Sequence, residues 1–146
     1  VRVFVDTNLW AYRLDRREPG KASQIAAWLR ALAADHQIVV STQVLVELRS
    51  VLTRKFQPPF DAASTEAALL ALAAFEVVPT DTNLVLDAHA LAHREQLSWF
   101  DALIVEAATR SRCTILYSED LTHGRRYGEL EVRNPLRGST PAPQGT

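Results

Sequence analysis

Four acidic residues, Asp6, Glu47, Asp101 and Asp120, have settings that suit chemistry in this chain of 146 residues. Asp6 follows the apolar run Val3-Phe4-Val5 and precedes Thr7-Asn8. Asp120 comes shortly after Cys113-Thr114-Ile115-Leu116-Tyr117, behind Ser118-Glu119. An apolar run that breaks off near a carboxylate is the profile of a buried strand delivering an acid to its carboxyl end, where open α/β sheets bind ligands. Glu47 lies on the margin of the helical stripe Val44, Leu45, Leu48, Val51 and Leu52. Asp101 lies on the margin of Phe100, Leu103, Ile104, Ala107 and Ala108, with Glu106 facing water and spaced to pair with Arg110. Taken singly, each acid has a plainer use: Asp6 as a helix N-cap, Glu47 as a surface partner of Arg54, Asp101 as the partner of Ser98 in a capping box. Together they have another, because two carboxylates about 4 Å apart repel by about 4 kcal/mol at an effective dielectric of 20. Four such groups need a cation. Oxygen donors without Cys or His suit Mg²⁺ or Mn²⁺, which keep waters and take further oxygens from a substrate phosphate, so the chemistry indicated is phosphoryl transfer to water. Thr7, Asn8 and Ser118 are placed to hold metal-bound waters or substrate oxygens, although turn and capping chemistry accounts equally well for Thr7 and Ser118.

The elements that must position these acids alternate. A strand ending at Asp6 is followed by a short helix over residues 8–14, which the charged cluster 15–20 breaks. A second helix carries Ile25, Trp28, Leu29 and Leu32 at helical spacing, which puts Trp28 in the core. Ile38-Val39-Val40 is a strand, and Ser41-Thr42 cap a helix running to about Arg54. After Gln57-Pro58-Pro59-Phe60 come a helix over 62–74, a strand at Glu76-Val77-Val78, a helix from Asp81 or Thr82 to about Glu95, and a helix opened by Ser98. Strands at 113–117 and 130–133 follow. Strands separated by helices predict a parallel sheet with right-handed crossovers and its carboxyl ends along one edge. The expected fold is α/β, a three-layer α/β/α sandwich around a mainly parallel sheet of four to five short strands. It forms one domain over residues 1–136, and residues 137–146, rich in Pro, Gly, Ser and Thr, read as a disordered tail.

Sixteen basic and seventeen acidic side chains leave a net charge of -1, so no global basic field advertises a nucleic-acid partner and such binding needs a local patch. The candidates for a basic rim are Arg49, Arg54, Lys55, Arg125 and Arg126, with His123 as a further phosphate contact or proton donor. The single cysteine, Cys113, heads an apolar run and reads as a buried, inert thiol in a reducing cytoplasm. His89 and His93 stand one turn apart, but Ala90 occupies the place where a zinc-binding His-Glu-x-x-His helix needs glutamate. The longest apolar run, Ala67 to Phe75, is far short of a membrane span, and the expectation is a soluble, cytoplasmic protein.

Phe4-Val5-Asp6-Thr7-Asn8, Val46-Glu47-Leu48, Phe100-Asp101-Ala102-Leu103-Ile104, Ser118-Glu119-Asp120-Leu121 and the closing Asn134-Pro135 together resemble the PIN-domain ribonucleases, and within them the VapC-type toxins of bacterial toxin–antitoxin pairs. The resemblance covers the chain to about Leu136 and rests on four acids in the right order. It implies Mg²⁺- or Mn²⁺-dependent endonuclease cleavage of RNA, with Asp6, Glu47, Asp101 and Asp120 as metal ligands. It also implies a homodimer and a small cognate antitoxin whose tail enters the acidic site. Glu119 has no secure counterpart and reads as a surface residue. Two other readings stand beside it. A phosphatase with Asp6 as nucleophile fails at Asn8 and Trp10, where its motif needs Asp and Thr. An interaction module with an idle site keeps no such mismatch, but all four acids are retained.

Overall fold

Val3, Phe4 and Val5 are fully buried, and that burial places their strand in the middle of the sheet, where both faces are covered. The computed structural model describes residues 1–137. It runs β1 (Arg2–Val5), α1 (Thr7–Leu14), α2 (Pro19–Asp35), β2 (Gln37–Ser41), α3 (Thr42–Ser50) continued by a π-turn (Val51–Lys55), α4 (Ala62–Ala73) and β3 (Glu76–Val78). It ends with α5 (Thr82–Glu95), α6 (Trp99–Arg110), β4 (Ile115–Tyr117), β5 (Arg126–Tyr127) and β6 (Leu130–Arg133). The sheet order is β3-β2-β1-β4-β6-β5. All pairs are parallel except β5 with β6.

This order divides the helices. From β1 the chain steps outward twice on one side, to β2 through α1 and α2 and to β3 through α3 and α4. It then returns through α5 and α6 to β4, on the other side of β1. Right-handed crossovers in opposite directions put α1–α4 on one face and α5 and α6 on the other. The helix packing agrees, since α1 packs on α2 and α3, α3 packs on α4, and α5 packs on α6. The reversal of direction between β1 and β4 opens a crevice at their carboxyl ends, the place where doubly wound sheets bind ligands.

Four differences from the sequence reading have local causes. The sheet has six strands, because β5 is a two-residue hairpin partner of β6, turned through Gly128 at φ 63°, and too short to show alternation. Phe100, expected to face inward, is 60% exposed. It shares the phase of Leu103, Ile104 and Ala107, but the first turn of α6 carries it past the packed face. Glu106, expected in water, is mostly covered and pairs with Arg110 at 3.4 Å, as its spacing required. Trp28 is half-buried and meets Tyr117 edge-on, with ring centroids 4.8 Å apart. Of the tail read as disordered, residues 138–146 lie outside the described residues. Among the described residues no helix is long and apolar enough to cross a membrane.

Candidate active site

β1 ends at Asp6, whose backbone N–H donates to the Tyr117 carbonyl of the neighbouring β4 over 3.0 Å, so the two strand ends are locked side by side. The Asp6 carboxylate caps α1 by accepting the Thr7 N–H at 2.7 Å, and it accepts the Ser118 hydroxyl at 2.8 Å. The capping and the site-acid readings of Asp6 are therefore both true of one side chain. Ser118, fully buried, also accepts the Asp120 N–H at 3.1 Å and so links the two strand-end acids through one hydroxyl.

Glu47 reaches the same crevice from α3. Its Oε1 accepts the Thr7 hydroxyl at 2.7 Å and its Oε2 accepts from Gln43 Nε2 at 3.0 Å, so its partners lie in the site and Arg54 is not among them. Asp6 is 5% exposed, and its carboxyl is pushed up to about 7, first by burial and further by the charges of Glu47 and Asp120, against the hydrogen bonds of Ser118 and Thr7. Thr7, Asn8, Glu47, Ser50, Val51, Lys55 and Asp120 line the cleft in front of it, about 390 Å³ in volume.

Asp101 stands apart from this group. It occupies the first turn of α6, which Ser98 caps by accepting the Asp101 N–H at 3.3 Å. Its charge acts on Tyr127 of β5, while the charges acting on Asp6 are those of Glu47 and Asp120. The connection runs through Gln43, whose Nε2 also donates to the Phe100 carbonyl at 3.2 Å and ties α6 to α3 beside Glu47. Gln43 escaped the sequence reading. The available signal was a polar residue one turn before Glu47, next to the buried Val44. Asn8 accepts the Glu119 N–H at 3.4 Å and leaves its buried Nδ2 without a partner, as is the Oε1 of Gln43. Glu119, read as surface, is half-buried and accepts the Tyr12 hydroxyl.

The basic candidates separate in the same way. Lys55 lines the acidic cleft, whereas Arg49 and Arg54 line a neighbouring one with Leu45, Val46, Ser50 and Leu69. Arg125 pairs with Glu95 at 2.8 Å and Arg126 with Glu131 at 3.3 Å, outside the cleft lining. His123 Nδ1 accepts the Asn134 N–H, a structural use. Burial pushes the Cys113 thiol up, away from the reactive thiolate. His89 and His93 are exposed on α5.

The donor types, oxygen throughout, are those a hard divalent cation takes. The set consists of carboxylate oxygens, with a buried member whose ionisation the other two oppose, and an adjacent orphaned amide oxygen on Gln43. Among the described residues no three His, Cys, Asp or Glu side chains already converge on one coordination point. Both Glu47 oxygens are held by Thr7 and Gln43, and Asp120 is exposed at the rim.

Comparison with known proteins bears on the fold. Among curated proteins none matches the chain. Among solved structures it is similar to a chain of VapBC2 from Rickettsia felis bound to a DNA fragment from their promoter, with TM-score 0.63, 17% identity, and coverage of 92% of this chain and 98% of that one. It is also similar to a chain of a toxin–antitoxin complex from Klebsiella pneumoniae, with TM-score 0.62, 20% identity, and coverage of 88% and 94%. A third similar structure is VapC20 of Mycobacterium tuberculosis, described as a Sarcin-Ricin loop cleaving toxin, with TM-score 0.56, 22% identity, and coverage of 81% and 89%. At these identities the likeness is one of fold. The family model for the PIN domain matches residues 3–129, and the chain belongs to the PIN domain family.

Proposed function

We propose that this chain is a divalent-metal-dependent endoribonuclease and the toxin of a toxin–antitoxin pair, acting in the cytoplasm. The observation that carries the reading is the buried Asp6 carboxylate, under the charges of Glu47 and Asp120 at the crevice between β1 and β4. Membership of the PIN family supports the nuclease class. Of the similar structures, one is VapBC2, one is a toxin–antitoxin complex and one is a Sarcin-Ricin loop cleaving toxin, which supports the antitoxin partner and a nucleic-acid loop as substrate. The homodimer belongs to the same proposal.

Asp6, Glu47 and Asp120 would hold Mg²⁺ or Mn²⁺, with Asp101 at the rim as a fourth, outer acid. When bound, the ion supplies an activated water and neutralises charge on the phosphate. The chain's own groups set the geometry. The Thr7 N–H and the Ser118 hydroxyl fix both Asp6 oxygens, the Thr7 hydroxyl and Gln43 orient Glu47, and Ser118 seats Asp120. Asn8 lines the cleft, and its side-chain oxygen accepts the Glu119 N–H and so ties the end of β4 to α1.

Purified protein incubated with RNA and Mg²⁺ or Mn²⁺, beside Asp6→Asn and Asp101→Asn, tests the reading. Cleavage lost in the Asp6 variant and on chelation is expected. RNA cleavage that neither substitution changes would remove the mechanism. No cleavage of any RNA, together with tight binding of a protein partner, would favour the interaction module, a reading to which the unconverged acids lend weight.

A further inference from the structure

The helix that carries Glu47 does not end as an α-helix. Val51–Lys55 form a π-turn, closed by the Phe56 N–H donating to the Val51 carbonyl over 3.1 Å, and such turns recur at functional sites. Its cause lies in the core. Leu48, Leu52 and Phe56 are all buried, and Phe56 meets Phe60 edge-on at 5.6 Å. Measured around the helix from Glu47 at about 100° per residue, Leu48 stands at about 100°, and an uninterrupted α-helix would carry Phe56 to about 180°, off the buried face. With roughly 82° per residue beyond Val51, Leu52 falls near 120° and Phe56 near 90°, in line with Leu48.

The same widening sorts two cations. In an uninterrupted α-helix Arg54 would stand about 20° from Glu47 and Lys55 about 80° away. Through the π-turn Lys55 comes within about 10° of Glu47, while Arg54 swings to about 75° on the far side. The surroundings agree. Lys55 shares the cleft with Thr7, Asn8, Glu47 and Asp120, and Arg54 lines the neighbouring cleft with Arg49. Among the described residues Lys55 pairs with no carboxylate, although Glu47 and Asp120 line the same cleft, so its ammonium is available to an incoming anion.

Resting on the nuclease reading above, we propose that Lys55 binds a non-bridging oxygen of the RNA phosphodiester in this cleft, and that the π-turn, by seating Phe56 in the core, selects Lys55 over Arg54 for that place.

The test compares the full chain with Lys55→Ala, Lys55→Arg and Arg54→Ala on a labelled single-stranded RNA with Mn²⁺. It reads cleavage kinetics, and binding across a series of salt concentrations. Lys55→Ala should raise KM about tenfold with a smaller change in kcat, and Lys55→Arg should recover most of that loss. Arg54→Ala should change KM less than about twofold. The slope of log affinity against log salt should fall by about 0.7 in Lys55→Ala, as loss of one phosphate contact to a single strand requires. If Lys55 only neutralises the acids, Lys55→Ala lowers the unfolding temperature and leaves the salt slope at its wild-type value. That result overturns the proposal, as does a larger effect from Arg54→Ala. Wild-type protein that neither binds nor cleaves RNA overturns the nuclease reading and this proposal with it, whereas wild-type cleavage that Lys55→Ala leaves unchanged overturns this proposal alone.

Discussion

Asp6 serves two masters, as the cap of α1 and as the buried acid of the cleft, and the conflict has a measurable sign. Its folded carboxyl titrates at about 7 against an ordinary 3.8, so the folded protein holds a proton that the unfolded chain releases. The stability contributed by that proton is complete below about pH 4 and is lost as pH rises through 7. In chelator, Asp6→Asn should therefore stabilise the protein at pH 8 by about 1–3 kcal/mol, with the gain shrinking towards pH 5. Thermal unfolding of the two proteins at both pH values checks this, and a constant difference would mean that Asp6 is not ionised at a cost. Ser118 is the second residue to test. It donates to Asp6 and accepts from Asp120, so Ser118→Ala should keep the fold while reducing cleavage about 10–100-fold, read as a higher Mn²⁺ concentration for half-maximal rate.

At the scale of elements, the strand ends were legible and the helix surroundings were not. Asp6 and Asp120 declare themselves because a buried parallel strand is an apolar run and its end is a change of residue type, a signal written in adjacent positions. The phase of Glu47 against Val44, Leu48 and Val51 was likewise local. Asp101 had the right phase, but which neighbour its first turn meets depends on how far α6 overhangs the sheet, and that is a tertiary outcome. The π-turn was readable in principle. Leu48, Leu52 and Phe56 recur at strict intervals of four, a spacing that drifts by about 40° per step on an α-helix and stays in line only if the helix widens. β5 left no trace in two residues. Gln43 shows what such tertiary placement does for the site, since one amide joins Glu47 on α3 to the Phe100 carbonyl on α6. Gln43→Ala should cost about 0.5–1.5 kcal/mol, because it removes the hydrogen bond that ties α6 to α3 while the carbonyl keeps its place in the helix. Its cleavage should fall further than its stability explains. Denaturant unfolding and kcat, measured on the same preparation, separate the two effects.

For the whole molecule, the sheet order decides where an ion matters. β1 lies at the centre with β2 on one side and β4 on the other, so Asp6 at the end of β1 is held by the middle of the sheet, whereas Asp120, beyond the end of β4, is exposed at the rim. Leu116 of β4 and Phe4 of β1, both fully buried, are part of the same core beside which Asp6 is buried. The cost of ionising Asp6, set first by its burial at the centre of the sheet, therefore bears on the folded domain as a whole, and whatever offsets it stabilises that domain. Binding to the folded state alone contributes RT ln(1 + [L]/Kd), about 2.7 kcal/mol when the ion is at a hundred times its dissociation constant. For a domain of this size that corresponds to a rise of roughly 5–10 °C in Tm. Mg²⁺ or Mn²⁺ should therefore raise Tm in a saturable way at constant ionic strength, and chelator should reverse it. Asp6→Asn, already relieved of that ionisation cost, should respond weakly, while Lys55→Ala, which removes no oxygen donor, should respond at least as strongly as the wild type. A Tm rise of equal size in wild type and Asp6→Asn would place the ion elsewhere on the molecule and leave the crevice without its cation.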